Sequence, residues 1–176
     1  AEFLKVSWTD ASNFLNQVHQ QKNTLGLNAL RLHVIQQMNS HPWFRAAYYH
    51  LAKSALEAIV GNELAMQLRV NLSIQLPQDD SSLLPVHADV WSGDSPFETV
   101  VWLPLVDCYR TKTMYLLPPK ADEKLRQHFH ELASQSSEAL FREIEQDLTW
   151  MDIQYGQVLL FNQNLPHGNR LNEEQE

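Results

Sequence analysis

At 176 residues, 44% hydrophobic and 10% aromatic, the chain has one domain's length, room for a substantial core, and too much apolar content for a disordered segment. A net charge of -8 excludes the basic footprint of a general nucleic-acid or membrane-surface binder, though not a local basic pocket for an anionic substrate. One cysteine, Cys108, excludes an internal disulfide framework and a cysteine-rich zinc site; with no membrane-length apolar run and no signal peptide, a soluble cytoplasmic protein is the expectation.

Residues 1–60 read as helical. Thr9 or Ser12 is placed to cap a first helix carrying Phe14, Leu15 and Val18. A second apolar segment runs from Leu25 to Met38 and is stopped by Asn39-Ser40-His41-Pro42. A third helix is predicted from Pro42 to about Val60, with Phe44, Tyr48, Leu51, Leu56 and Ile59 at buried-face spacing and Gly61 as its stop. His19, His33, His41 and His50 fall here and read as surface or helix-end histidines.

From Gln67 the period changes to two. Val70, Leu72, Ile74 and Leu76 alternate with Arg69, Asn71, Ser73 and Gln75. Two readings stay open: an amphipathic strand with its polar face in water, or a barrel strand whose polar face lines a ligand cavity. After a loop at 78–82, the stretch Leu83–Val90 carries Pro85-Val86-His87-Ala88-Asp89-Val90-Trp91. Phe97–Val106 and Thr113–Leu117 are strand-like. Residues 120–148 return to helical spacing, as two short helices broken near Ser134–Ser137, and form an insertion that either covers a site or decorates the fold. On those helices His128 and His130 point to different sides and are not counted as ligands. Met151–Tyr155, a turn at Gly156, and Gln157–Phe161 restore strand character before His167-Gly168-Asn169.

On an extended segment a His and an Asp two positions apart share one side. His87 and Asp89, joined by His167 from a distant strand, would make a 2-His-1-carboxylate face, the set that suits non-haem Fe(II) and leaves positions open for substrate and O2. An isolated H-x-D is weak evidence, since the chain has 8 histidines and 21 acids. A surface turn is the plain alternative.

The order of H-x-D, an aromatic strand, an insertion and G-x-V-L-L-F-N before His-Gly resembles the Fe(II)/2-oxoglutarate-dependent oxygenases, in the phytanoyl-CoA dioxygenase-like branch, over roughly residues 66–170. Leu84–Asp89 and Val101-Trp102-Leu103-Pro104-Leu105 look most like oxygenases from bacterial surface-polysaccharide biosynthesis. The resemblance implies a mainly β protein with helices: a double-stranded β-helix (jelly roll, cupin-like) with N-terminal helices packed on one sheet. It would be a single domain over 1–176, with 1–65 as helical support, 66–119 and 150–176 as jelly-roll strands and 120–149 as a helical insertion. It also implies Fe(II), 2-oxoglutarate and O2 as cofactors, with His87, Asp89 and His167 as metal ligands. Asp89 implies a hydroxylase, since related halogenases carry a small residue there. The implied substrate is a small molecule, with a sugar or polysaccharide precursor as the class.

For the cosubstrate, Trp102 matches a pocket aromatic. Asn169 matches a position that is often a hydroxyl residue, and Asn71 and Gln75 are added from the polar face of their segment. The family's carboxylate-clamping Arg is expected about ten residues past the distal His. Arg170 is too close to be that residue, so either the Arg and the final strand are expected beyond Glu176, which is favoured, or the clamp is absent. Lys112, Lys120, Arg110 and Arg170 are candidates for a local anion site, though a solvated surface accounts for the first three. Two other functions remain: a cupin-like metal enzyme without 2-oxoglutarate (an isomerase, epimerase or other dioxygenase), and a non-enzymatic jelly-roll binding module.

Overall fold

The computed structural model describes residues 10–21 and 24–176. The chain forms two compact units, Ala1–Ile74 and Gln75–Glu176, so the boundary falls inside the stretch read as one alternating strand.

In the first unit, helices α1 (Ala11–Asn16), α2 (Thr24–Ser40) and α3 (Phe44–Val60) follow the predicted order. Asp10 caps α1 by accepting from the Asn13 amide at 3.1 Å, in place of Ser12; Thr9 lies outside the described residues. α3 ends where Gly61 takes φ +84°, which costs glycine no Cβ clash. Asn39, near the end of α2, clamps Val70. Its Nδ2 donates to the Val70 carbonyl at 2.9 Å and its Oδ1 accepts from the Val70 N–H at 2.8 Å. One side chain thus satisfies the backbone groups that a neighbouring strand would otherwise pair.

In the second unit, β1 (Thr99–Trp102) pairs antiparallel with β4 (Leu159–Asn162). A second sheet sets β2 (Met114–Leu116) between β3 (Thr149–Trp150) and β5 (His167–Asn169), antiparallel to both. Helices α4 (Pro119–Leu132) and α5 (Ser137–Ile144) connect β2 to β3. Pro119 opens α4 where its missing N–H loses nothing, and Ser136 caps α5 by accepting from the Ala139 amide at 3.2 Å.

These helices are not decoration. Leu125 of α4 and Leu140, Phe141 and Ile144 of α5 are buried with Val86, Tyr115 and Leu117 in one core cluster. Tyr115 is fully buried, with its ring 5.3 Å from both Phe141 and Trp150. Burying side chains of this size contributes about 1.5–3 kcal/mol each. The segment read as an insertion therefore supplies much of the core under the site-bearing strands.

The expected mainly β double-stranded β-helix is overturned. Helix accounts for 43% and strand for 13% of the structure, and the sheets have only 2 and 3 strands. The physical reason is local. Alternation at 67–76 fits an extended chain, but its backbone finds other partners: Asn39 holds Val70, and only the bridge Pro77↔Asn172 follows. Likewise Leu83–Val90 makes a single bridge, at His87, before turning into a 3-10 turn at Asp89–Ser92. The predicted strand at Met151–Tyr155 keeps one bridge, Cys108↔Ile153, while β3 lies just before it at Thr149–Trp150. Among the described residues no helix is long and apolar enough to cross a membrane.

Candidate metal centre

Backbone pairing brings the three candidate ligands together. The His87 N–H donates to the His167 carbonyl at 2.9 Å, and the His167 N–H returns the bond at 2.8 Å. β5 is itself fixed by β2, with Leu116 opposite His167. Ala88 remains extended at φ -123° and ψ 136°, so Asp89 emerges on the same side as His87. The Asp89 N–H then donates to the Gln163 carbonyl at 3.2 Å, tying the H-x-D turn to the loop before β5.

The three side chains converge. His87 Nε2 lies 3.6 Å, and His167 Nε2 3.9 Å, from Oδ1 of Asp89. One ligand atom from each residue lies within 4.8 Å of the other two. Both imidazoles are oriented in the same way. His87 Nδ1 sits 2.8 Å from the Pro85 carbonyl and His167 Nδ1 2.9 Å from the Leu165 carbonyl. A carbonyl only accepts, so each Nδ1 carries the proton and each Nε2 lone pair faces the shared space. A hydrogen bond of this kind at the far nitrogen is what fixes a metal-binding histidine.

Burial holds His167 below its usual pKa, and neighbouring His87 adds to this, against the Leu165 carbonyl and Asp89. The neutral ring is thereby favoured, as a metal ligand requires. Phe161 closes one side, its ring 5.1 Å from that of His167. Two imidazoles, one carboxylate and a partly open mouth fit a divalent transition metal, Fe(II) included.

The residues expected at a cosubstrate pocket are placed differently. Gln75 Nε2 donates to the Arg170 carbonyl and, at 3.4 Å, to that of Thr111. Asn169 is buried, and its Oδ1 accepts from the Leu84 N–H at 2.6 Å. Trp102 ends β1 opposite Leu159, and Asn71 belongs to the first unit, exposed. Arg170 Nη1 donates to Glu138 at 2.5 Å, and its guanidinium lies 4.3 Å over the Phe141 ring. Lys112 sits 3.7 Å from Glu176 and Arg110 3.8 Å from Glu174.

Sequence reasoning missed a cleft of about 170 Å3 beside the ligand-bearing segments. Val90 and Trp91, directly after Asp89, form one wall, Asn164 of the loop before β5 another, and α4 supplies Asp122, Arg126 and Phe129. The signal was present: Asp122 and Arg126 stand four apart, as a helical ion pair does. A larger hollow of about 390 Å3 lies against Ser136, Glu138 and Arg142, and none of its lining residues is a ligand.

Compared with protein-family models, curated proteins and solved structures, the chain matches none.

Proposed function

We propose that the second unit is a non-haem Fe(II) oxygenase that uses O2 and 2-oxoglutarate to hydroxylate a small molecule. The supporting observation is the convergence of His87, Asp89 and His167 with both histidines locked as Nδ1–H tautomers. Fe(II) bound there would activate O2 at the positions the three ligands leave open. His87 and His167 would each donate Nε2 to the ion, and Asp89 would offset its charge. The Pro85 and Leu165 carbonyls hold the rings in register throughout. Phe161 keeps water from one side of His167. A reducing cytoplasm is part of the reading, because a ferrous ion and the free Cys108 thiol both persist there. The cosubstrate and a sugar-precursor class of substrate rest on the resemblance of motif order.

A second reading has its own support. Gln75, Asn169 and Arg170 each direct a polar side-chain group to an internal partner. The same centre without 2-oxoglutarate, as an isomerase, epimerase or other dioxygenase, asks nothing of them.

The test is anaerobic. Fe(II) followed by 2-oxoglutarate should give a weak visible charge-transfer band, weakened or lost in His87→Ala and Asp89→Ala. Iron uptake without a band moves the second reading ahead. No uptake by folded protein overturns both.

A further inference from the structure

The geometry points to the cleft between the Asp89–Ser92 turn and α4 as a subsite for the carboxylate of a small organic acid with an apolar or aromatic body. Its meaning as a substrate subsite rests on the metal-centre reading, because two of its walls are the chain segments that carry Asp89 and His167.

The argument begins with Asp122. It is 5% exposed, and its Oδ2 accepts from both Nε and Nη2 of Arg126 at 2.7 Å. Arg126 itself is 58% exposed. One buried carboxylate oxygen therefore fixes the plane of a guanidinium whose remaining edge is solvent-accessible. Nη1 makes no hydrogen bond or ion pair among the described residues. A pre-oriented planar fork is the group that recognises a carboxylate, because its fixed N–H directions match the two oxygens. Holding the fork in place beforehand reduces the ordering that binding must supply.

The rest of the cleft sets the body of the ligand. Trp91 stacks on Phe129 with centroids 4.8 Å apart and interplanar angle 29°, and Trp91 is 42% exposed. Leu125 and Val90 complete an apolar lining, and Asn164 adds one amide. About 170 Å3 suits a single ring or short chain, smaller than the usual range for drug-sized ligands. Asp122 does not repel such a ligand strongly, because its charge is already matched by the guanidinium it orients.

The test titrates metal-free full-length protein with 3-phenylpropionate and its neutral isostere 3-phenylpropanamide, followed by ligand-observed NMR. The acid should bind at least about tenfold more tightly than the amide, the scale of a charge-assisted bond. Arg126→Gln should abolish the preference. Because that change strands buried Asp122, the Asp122→Asn/Arg126→Gln pair serves as the folded version. Trp91→Ala should weaken acid and amide alike. Equal binding of the two probes, binding of neither, or a preference surviving the double substitution overturns the subsite.

A 2-oxoglutarate titration identifies the source of the carboxylate. If it binds with the same Arg126 dependence and displaces the probe, the subsite serves the cosubstrate. If it does not, the subsite serves a substrate acid. Co(II) uptake measured on the same samples reads the metal centre separately, so either idea can fail while the other stands.

Discussion

His87 and His167 exchange two backbone hydrogen bonds, at 2.9 and 2.8 Å, and their rings stand 4.4 Å apart. Their spacing is thus set by main chain before any ion arrives. On the proposed metal-centre reading an ion would have little reorganisation to impose, and its binding energy should appear as stability. Co(II) or Fe(II) at about 100 times its dissociation constant should stabilise the second unit by about 2.7 kcal/mol. Thermal unfolding with and without metal measures this, and His167→Ala should show no metal-dependent shift.

Gly168 follows the distal histidine where no side chain fits. A Cβ there would stand 2.5 Å from Tyr115 Oη and 2.7 Å from the Leu84 carbonyl. Tyr115 is fully buried and the carbonyl is backbone, so neither yields easily. Gly168→Ala should destabilise by about 1–3 kcal/mol, as overpacking does, and should weaken metal uptake by displacing His167. Urea unfolding and a Co(II) titration together check both effects.

Two asparagines do the work of absent strands, one in each unit. Asn39 clamps both polar groups of Val70, while Asn169 holds the Leu84 N–H through its side chain and donates its own N–H to the Leu84 carbonyl at 3.0 Å. Asn39→Ala and Asn169→Ala should each cost about 1–3 kcal/mol by leaving backbone groups unpaired. Amide exchange should accelerate at Val70 in the first variant and at Leu84 in the second.

Alkaline pH should weaken the second unit. Burial pushes the Cys108 thiol up to about 11, against Lys112 and with Asp107, and burial pushes Tyr115 up to about 12, with Arg170 opposing. Both groups hold their protons more tightly folded than unfolded. Their contribution is full below the unfolded values, about 8.5 and 10, and is lost as pH rises through the folded ones. Stability should therefore fall between about pH 9 and 12. At pH 8, iodoacetamide should alkylate Cys108 in urea at least about a hundredfold faster than in the folded protein, since only the thiolate reacts.

Local patterns in the sequence were legible wherever a residue's own chemistry decides the outcome. Gly61 stops α3, Gly156 turns with φ +89°, and 120–148 forms two helices broken where serines cluster. His87 and Asp89 share one side as their spacing implied, because Ala88 stays extended, and His167 stands beside them. Sheet membership was not legible. The alternation from Val70 to Leu76 fixes which side chains face inward but not what pairs the backbone, and Asn39, read only as a helix stop, supplies that pairing. Nor did alternation reveal that Leu125, Phe141 and Ile144 would pack on β2, which makes the supposed insertion part of the core.

The bridge between His87 and His167 has a consequence for synthesis on the ribosome. Its halves are roughly eighty positions apart, so the loop between them must close before either imidazole has its neighbour. β5 also provides one edge of the three-stranded sheet, and the Asn172 carbonyl beyond it accepts from the Gln78 N–H at 2.8 Å. A nascent chain that has not yet released β5 carries His87 and Asp89 without the partner that completes them. An ion that needs all three donors would find them together only after the second unit has closed.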